Sequence, residues 1–321
     1  DGRSARIVLK GNIIEAPAIT VDLTPIDETL AFGDTSTHAL SIKNTGKADL
    51  EVVTLGKQWL TYEAAPSGAK TTEYSYAYEK HNTGGVYQWI DIRKTGTQLP
   101  FAKELEDKKQ YWRNLELPFP FEFYGQSYSK IKIGENGIIS FDEDPDNMFF
   151  EDFLPTEHEG RFLMPYWCFG GFNTTFYEKS DVGLFYQFYD DKVIISWNYL
   201  INNFGGMGDP ISVQLVLYKN STIKFQYRIE ENGSDETSVF ASIGAQQDTS
   251  EAVVISNHNT LDHGQGLAYI LVPSRKHVVS PGNELAGAIN IDARNIYGGQ
   301  YDEVLKIQAN VPGRENLEKP V

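Results

Sequence analysis

Three stretches of this sequence hold residue types whose spacing fits a chemistry. The first is acidic: Asp142, Glu143, Asp144 and Asp146, followed by Glu151 and Asp152. Alternate carboxylates at Asp142, Asp144 and Asp146 are how a flexible loop offers hard oxygens to a calcium ion. An EF-type loop also needs Gly at its sixth position and Glu at its twelfth, where this chain has Asn147 and Phe153, and Pro145 interrupts the run. A solvated acidic loop is the weightier reading, so no cofactor is expected and Ca2+ at these carboxylates is the alternative. The second stretch is aromatic and runs from Met164 to Tyr177. Phe172, Asn173, Phe176 and Tyr177 place rings beside amides and glycines. Exposed rings stack on sugar faces or on a partner protein while neighbouring amides bond hydroxyls. Tyr166, Trp167 and Phe169 of the same run are expected to turn into a core. The third is the pair His258 and His263 with Asp262 between them. Two imidazoles and a carboxylate can hold a transition metal, but this segment is polar and turn-like, and a solvated loop is preferred.

Other chemistries lack their constellations. The sequence has no G-x-S-x-G elbow and no H-E-x-x-H pair. Its 44 Asp and Glu make carboxylate pairs easy to find and therefore uninformative about glycoside hydrolysis. Phe204–Asp209 is Gly-rich but lies between strand patterns rather than before a helix, which argues against phosphate cradling. The region is therefore expected not to be an enzyme. A net charge of −16 with a pI near 4.8 opposes nucleic-acid binding, which needs clustered Lys and Arg. No apolar run reaches the roughly 18 residues of a spanning helix, so no membrane insertion is expected within the chain. The single Cys168 sits among apolar neighbours and reads as a small buried hydrophobe.

Strands must position these stretches. From Leu115 to Asp142 the residues Leu117, Phe119, Phe121 and Phe123 share one parity, the period-two signature of a strand with one buried face. Pro118 and Pro120 on the opposite parity cannot donate ladder hydrogen bonds, which confines this strand to a sheet edge or its entry. Tyr124-Gly125 turns the chain, Ile131 and Ile133 point inward from the next strand, and Asn136-Gly137 supplies a second turn. Further strand patterns cover Ile19–Leu23, Thr29–Gly33, Ser36–Asn44, Leu50–Leu55 and Thr71–Tyr78. Val86–Ile92 follows, with Trp89 placed for a core. Gly183–Tyr189, Lys192–Tyr199, Ile211–Tyr218 and Thr222–Ile229 read as a meander, and Val239–Ala245, Ala252–Ser256 and Leu267–Val272 close the series. Ser4–Gly11 is expected to be a strand as well, and the charge run Lys103–Lys109 a solvated loop or short helix. The fold class is all-β.

Two resemblances refine this reading. Pro118-Phe119-Pro120-Phe121 with Phe123-Tyr124-Gly125, then Gly134–Gly137 and Ser140-Phe141, resemble the opening of nidogen-like sandwich domains. The likeness continues from Gly183 to Ala245, though Cys168-Phe169-Gly170 stand where relatives carry acidic residues after the Trp. Phe32-Gly33-Asp34 and Leu40–Val52 are similar to the small immunoglobulin-like repeats of Hydin and abnormal-spindle proteins. Their continuation resumes only at Ser280-Pro281-Gly282 and ends near Asn310. The expected organisation is a preceding-repeat strand (1–14), a split immunoglobulin-like domain (15–69 and 275–321) and an inserted nidogen-like sandwich (70–274). The resemblances imply a secreted or cell-surface bacterial protein in which this region is a binding, adhesion or spacer module for extracellular protein or glycan. The alternative is an ancillary region of a larger exported hydrolase such as a subtilisin-like protease.

Overall fold

A computed structural model describes residues 15–65, 68–81, 86–101, 112–142, 148, 152–172, 181–202, 210–229, 241–257 and 266–321. In chain order the strands are β1 (Ile19–Val21), β2 (Thr35–Asn44), β3 (Leu50–Leu55), β4 (Leu60–Ala64), β5 (Lys70–His81), β6 (Thr97–Gln98) and β7 (Trp112–Phe123). They continue as β8 (Gln126–Gly134), β9 (Ile139–Ser140), β10 (Phe162–Cys168), β11 (Gly170–Phe172), β12 (Gly183–Phe188), β13 (Lys192–Asn202) and β14 (Ile211–Tyr218). The last are β15 (Ile223–Ile229), β16 (Ala241–Asp248), β17 (Glu251–Asn257), β18 (Ala268–Val279), β19 (Glu284–Asp292), β20 (Val304–Ala309) and β21 (Asn316–Pro320). Among the described residues the one other element is a 3-10 turn, Ala293–Asn295, so the protein is all-β.

The chain forms two compact units. One takes the chain up to Glu73 with Arg275–Asn295 and Gly299–Val321; the other takes Tyr74–Ser274 with Ile296–Gly298. The first unit is therefore discontinuous in sequence, and the chain passes between units within β5 and β18.

In the first unit, β1-β2-β19-β4 form one antiparallel sheet, and β21-β20-β3 with the end of β18 form another. Leu-Glu-Val-Val-Thr-Leu in β3 alternates buried and half-buried, which gives it one core face. Leu40, Ile42, Leu50, Val52, Leu60, Leu285, Ile289, Leu305 and Ile307 form that core. The Tyr62 hydroxyl donates to the Leu285 carbonyl at 3.2 Å. A Cβ at Gly287 would lie 2.5 Å from that hydroxyl, so the position demands glycine. Residues 22–34, including the Thr29–Gly33 stretch expected as a strand, are irregular. Isolated main-chain bonds, such as Ile26 N–H to the Pro320 carbonyl at 3.0 Å, and side-chain bonds hold this segment. Asp22 accepts the Thr24 N–H at 2.9 Å, the Ser36 hydroxyl donates to Glu28 at 2.8 Å, and Gly33 turns at φ 97°.

The second unit is a two-sheet sandwich. One sheet has the order β17-β16-β10-β9-β8-β7; the other runs from the start of β18 through β15, β14, β13 and β12 to β6, with β11 pairing on β13. Phe119, Phe121 and Phe123 are buried from one face of β7, which is the edge strand its prolines require. Tyr124 and Gly125 turn at φ 44° and 75° into β8, where Ile131 and Ile133 enter the same core. Gly137 has φ 82°, and a Cβ there would stand 2.2 Å from the Tyr166 carbonyl oxygen, which excludes any side chain.

Both sheets bury parts of their outer faces too, so β10 and β14 are buried at every position. That is why their sequences read as continuous apolar runs rather than alternations. In β10 a bulge inserts one residue between the pairs Met164–Gly244 and Trp167–Ser242. The extra residue accommodates Pro165, whose carbonyl accepts the Tyr227 hydroxyl at 2.6 Å, and it reverses the parity beyond it. Tyr166 and Cys168 then face the main core, while Trp167 packs outward with Phe162, Met164 and Leu154. Tyr166 and Trp167 are buried as expected, but on opposite faces; Phe169 is half-buried.

Candidate functional site

The residues singled out in the sequence fall on separate elements. Phe172 closes β11, pairs with Leu200, and packs edge-on against Phe101 with ring centroids 5.8 Å apart. It is half-buried against the main core. Asn173, Phe176 and Tyr177 lie outside the described residues, as do His258, Asp262, His263, Phe204–Asp209 and Lys103–Lys109. Asp142 follows β9 on the other sheet. Its carboxylate accepts the Arg161 N–H at 2.6 Å, and its own N–H donates to Ser140 Oγ at 3.1 Å, so it ties this turn to the start of β10. Asp144 and Asp146 are outside the described residues. Among the described residues no three His, Cys, Asp or Glu side chains converge to hold a metal ion.

What the structure brings together lies instead on the outer face of β12–β15. On β14 and β15 the odd positions Ile211 to Leu217 and Ile223 to Tyr227 fill the main core, so the even positions point outward. Those even positions are Ser212, Gln214, Val216 and Tyr218 on β14, and Lys224, Gln226 and Arg228 on β15. Gln214 and Gln226 are directly opposite one another, as are Ser196 and Gln214. Gln226 Nε2 donates to Gln214 Oε1 at 3.1 Å, and Gln214 Nε2 donates to Ser196 Oγ at 2.9 Å. A hydrogen-bonded polar row thus crosses three strands.

Val86–Ile92 lies over this row as a strap. The residues are expected to form a strand with Trp89 in a core; they carry no strand assignment and belong to no ladder. Side chains replace the missing ladder. The Gln88 N–H donates to Gln226 Oε1 at 2.6 Å while Gln226 Nε2 donates back to the Gln88 carbonyl at 3.0 Å. The Ile90 N–H donates to Gln214 Oε1 at 3.3 Å, and Gln214 Nε2 returns a bond to the Ile90 carbonyl at 2.8 Å. Lys224 Nζ donates to the Val86 carbonyl at 3.2 Å. Residues 86, 88 and 90 are therefore held through their main chain, and the side-chain amides satisfy backbone groups that a sheet neighbour would otherwise take.

Because the strap's peptide groups aim at the sheet, its side chains leave sideways on alternating flanks. Ile90 and Ile92 pack on Phe185, Ile194, Val216 and Tyr218. On the opposite flank the Arg228 guanidinium covers the Trp89 ring at 4.6 Å. Trp89 is half-buried beneath a cation and takes no part in the core. Asp91 forks with Arg93 at 2.6 and 2.9 Å. Hydrogen bonding from Arg93, reinforced by the charge of Arg228, holds the Asp91 carboxyl down to about 2. Lys224 is fully buried; desolvation, with the neighbouring charge of Lys192, pushes it down to about 7.

The sequence signal for this arrangement was present but ambiguous. Gln214 with Ser212 on β14, and Gln226 with Lys224 and Arg228 on β15, are polar residues of one parity in strands whose other parity is apolar. Strand patterning gives their face, but not what covers it.

The NIDO-related family model matches residues 75–265, well over half of the chain and most of the second unit. Neither a curated protein nor a solved structure matches the sequence.

Proposed function

Because this chain belongs to the NIDO-related family, we propose that it is a non-catalytic extracellular module that presents its inserted sandwich to protein or glycan. The family match carries this reading, since modules of this type are typically extracellular. The sandwich supplies a rigid support: Gln214, Gln226, Gln246 and Tyr227 spend their buried polar atoms on main-chain groups and on one another. Phe172 and its following residues Asn173, Phe176 and Tyr177 are the proposed contact loop, with Phe172 anchored on Phe101. In the same reading, Ca2+ at Asp142, Asp144 and Asp146 is the alternative to no cofactor, and the first unit is an immunoglobulin-like domain.

The test is retention of the purified chain on arrays of glycans and of extracellular matrix proteins. Tyr177→Ala should abolish retention while leaving the melting temperature unchanged. Retention that survives both Tyr177→Ala and Phe176→Ala would remove the loop from the contact surface, and no retention on either array would count against the binding role.

A further inference from the structure

We propose that the outer face of β13–β15 is a main-chain docking site, filled in cis by Val86–Ile92 and able to accept an extended segment of another polypeptide. Its recognition elements are Gln214, Gln226 and Lys224, which contact atoms that every peptide has. Each Gln amide offers one donor and one acceptor to the N–H and C=O of a single residue, and the two engage residues 88 and 90. Lys224 adds the carbonyl of residue 86. The period of two is that of an extended strand, about 6.6 Å between alternate residues. This is strand addition performed by side chains on a sheet face rather than by backbone on a sheet edge.

The row is bonded within the sheet as well as to the strap. Gln226 is oriented by Gln214 and Gln214 by Ser196, and all three are buried with their stems fixed in sheet strands. Preorganised donors and acceptors lose little freedom on binding, so the face suits any extended chain that reaches it. Two further buried polar atoms lack a hydrogen-bond partner beside these strands, Asn198 Nδ2 in the bulged part of β13 and Thr222 Oγ1 in the hairpin before β15. Asn198 follows Ser196 by two positions on β13, and Thr222 precedes Lys224 by two. The strap meets the polar row with three residues and leaves these flanking groups unused, whereas a longer segment has main-chain atoms to offer them.

Selectivity comes from the flanks. The hollow that holds Ile90 and Ile92 is lined by Phe185, Ile194, Val216 and Tyr218 and favours a branched aliphatic residue at alternate positions. The other flank presents Arg228, whose guanidinium takes an aromatic ring, as it does with Trp89. The ligand class is therefore an extended peptide with alternating aliphatic and aromatic residues, with the strap itself as the template. This site uses none of Phe172, Asn173, Phe176 and Tyr177, so failure of the glycan and matrix-protein arrays leaves it standing.

A fluorescent, end-capped peptide of the strap sequence, Val-Tyr-Gln-Trp-Ile-Asp-Ile-Arg, is the probe, read by anisotropy against the full chain. In the wild type the tethered strap competes at high effective concentration and binding is weak. Ile92→Ala loosens the strap in its hollow, and the peptide should then bind at least tenfold more tightly. Adding Gln214→Leu and Gln226→Leu should remove that gain. A peptide N-methylated at the residues matching Gln88 and Ile90 should not bind, because both main-chain donors are gone. Should Ile92→Ala fail to fold, Ile90→Ala loosens the same flank. Equal affinity for wild type and a folded loosened variant, or equal affinity of the methylated and unmodified peptides, would overturn the proposal.

Discussion

Replacing Lys224 with Met gives a stability difference that must change with pH in a defined direction. Lys224 has 1% of its surface exposed, and its ammonium is pushed from 10.5 down to about 7. In the unfolded chain it regains the ordinary value, so between pH 7 and 10.5 the unfolded state binds more protons than the folded one. Stability contributed by this group therefore rises as pH increases through that window. At about 1.4 kcal/mol per unit, the penalty of neutralising Lys224 is about 4 kcal/mol at pH 7 and falls by about 3 kcal/mol by pH 9.5. Met has no titrating group and keeps most of the stem's packing. Its costs are the orphaned Val86 carbonyl, about 1 kcal/mol, and the lost cation over the Tyr218 ring. Lys224→Met should thus be more stable than wild type at pH 7 and lose that advantage as pH rises. The neighbouring groups Lys192, Tyr218 and Tyr189 are present in both proteins and largely cancel in the difference. Urea unfolding, followed by fluorescence of the buried Trp167 and Trp197, measures it at pH 7, 8.25 and 9.5. A difference that stays constant across these pH values would refute the argument, because it would mean that Lys224 keeps its charge inside the folded protein.

The first unit should respond in the acidic range. His277 is 3% exposed, its Nδ1 lies 3.1 Å from Thr71 Oγ1, and burial pushes it from 6.5 down to about 4. The unfolded chain takes up this proton first, so stability falls as pH drops from 6.5 to 4, by about 3 kcal/mol for this group. Denaturation of wild type and His277→Gln at pH 7 and 4.5 tests this, and parallel losses in both would exclude His277 as the cause. Joining Glu73 directly to Arg275 should leave a folded β domain, because the first unit has its own core. Dispersed amide resonances from that product would support the split-domain reading, and a collapsed spectrum would end it.

The sequence by itself determined the class of fold and most of the strands. Parity did this work: the alternation of Phe119, Phe121 and Phe123, the prolines between them and the Asn136-Gly137 turn are local rules that hold wherever the strand sits. It also carried the family, through the motifs from Pro118 to Phe141 and from Gly183 to Ala245. Local rules failed where tertiary partners overrode them. Val86–Ile92 has the pattern of a strand, yet it pairs in no ladder, and the amides of Gln214 and Gln226, more than a hundred residues away, take the ladder's place. Trp89 was assigned to a core on its hydrophobicity, while Arg228 from another strand holds it on a flank. The bulge at Pro165 sends Tyr166 and Trp167 to opposite faces, and a one-residue shift of register leaves no mark in composition. Thr29–Gly33 has the pattern of a strand but no partner pairs with it, and the segment is irregular. Which residues share a face follows from a period of two. What lies across from that face depends on pairings between distant segments, and only the folded chain decides those.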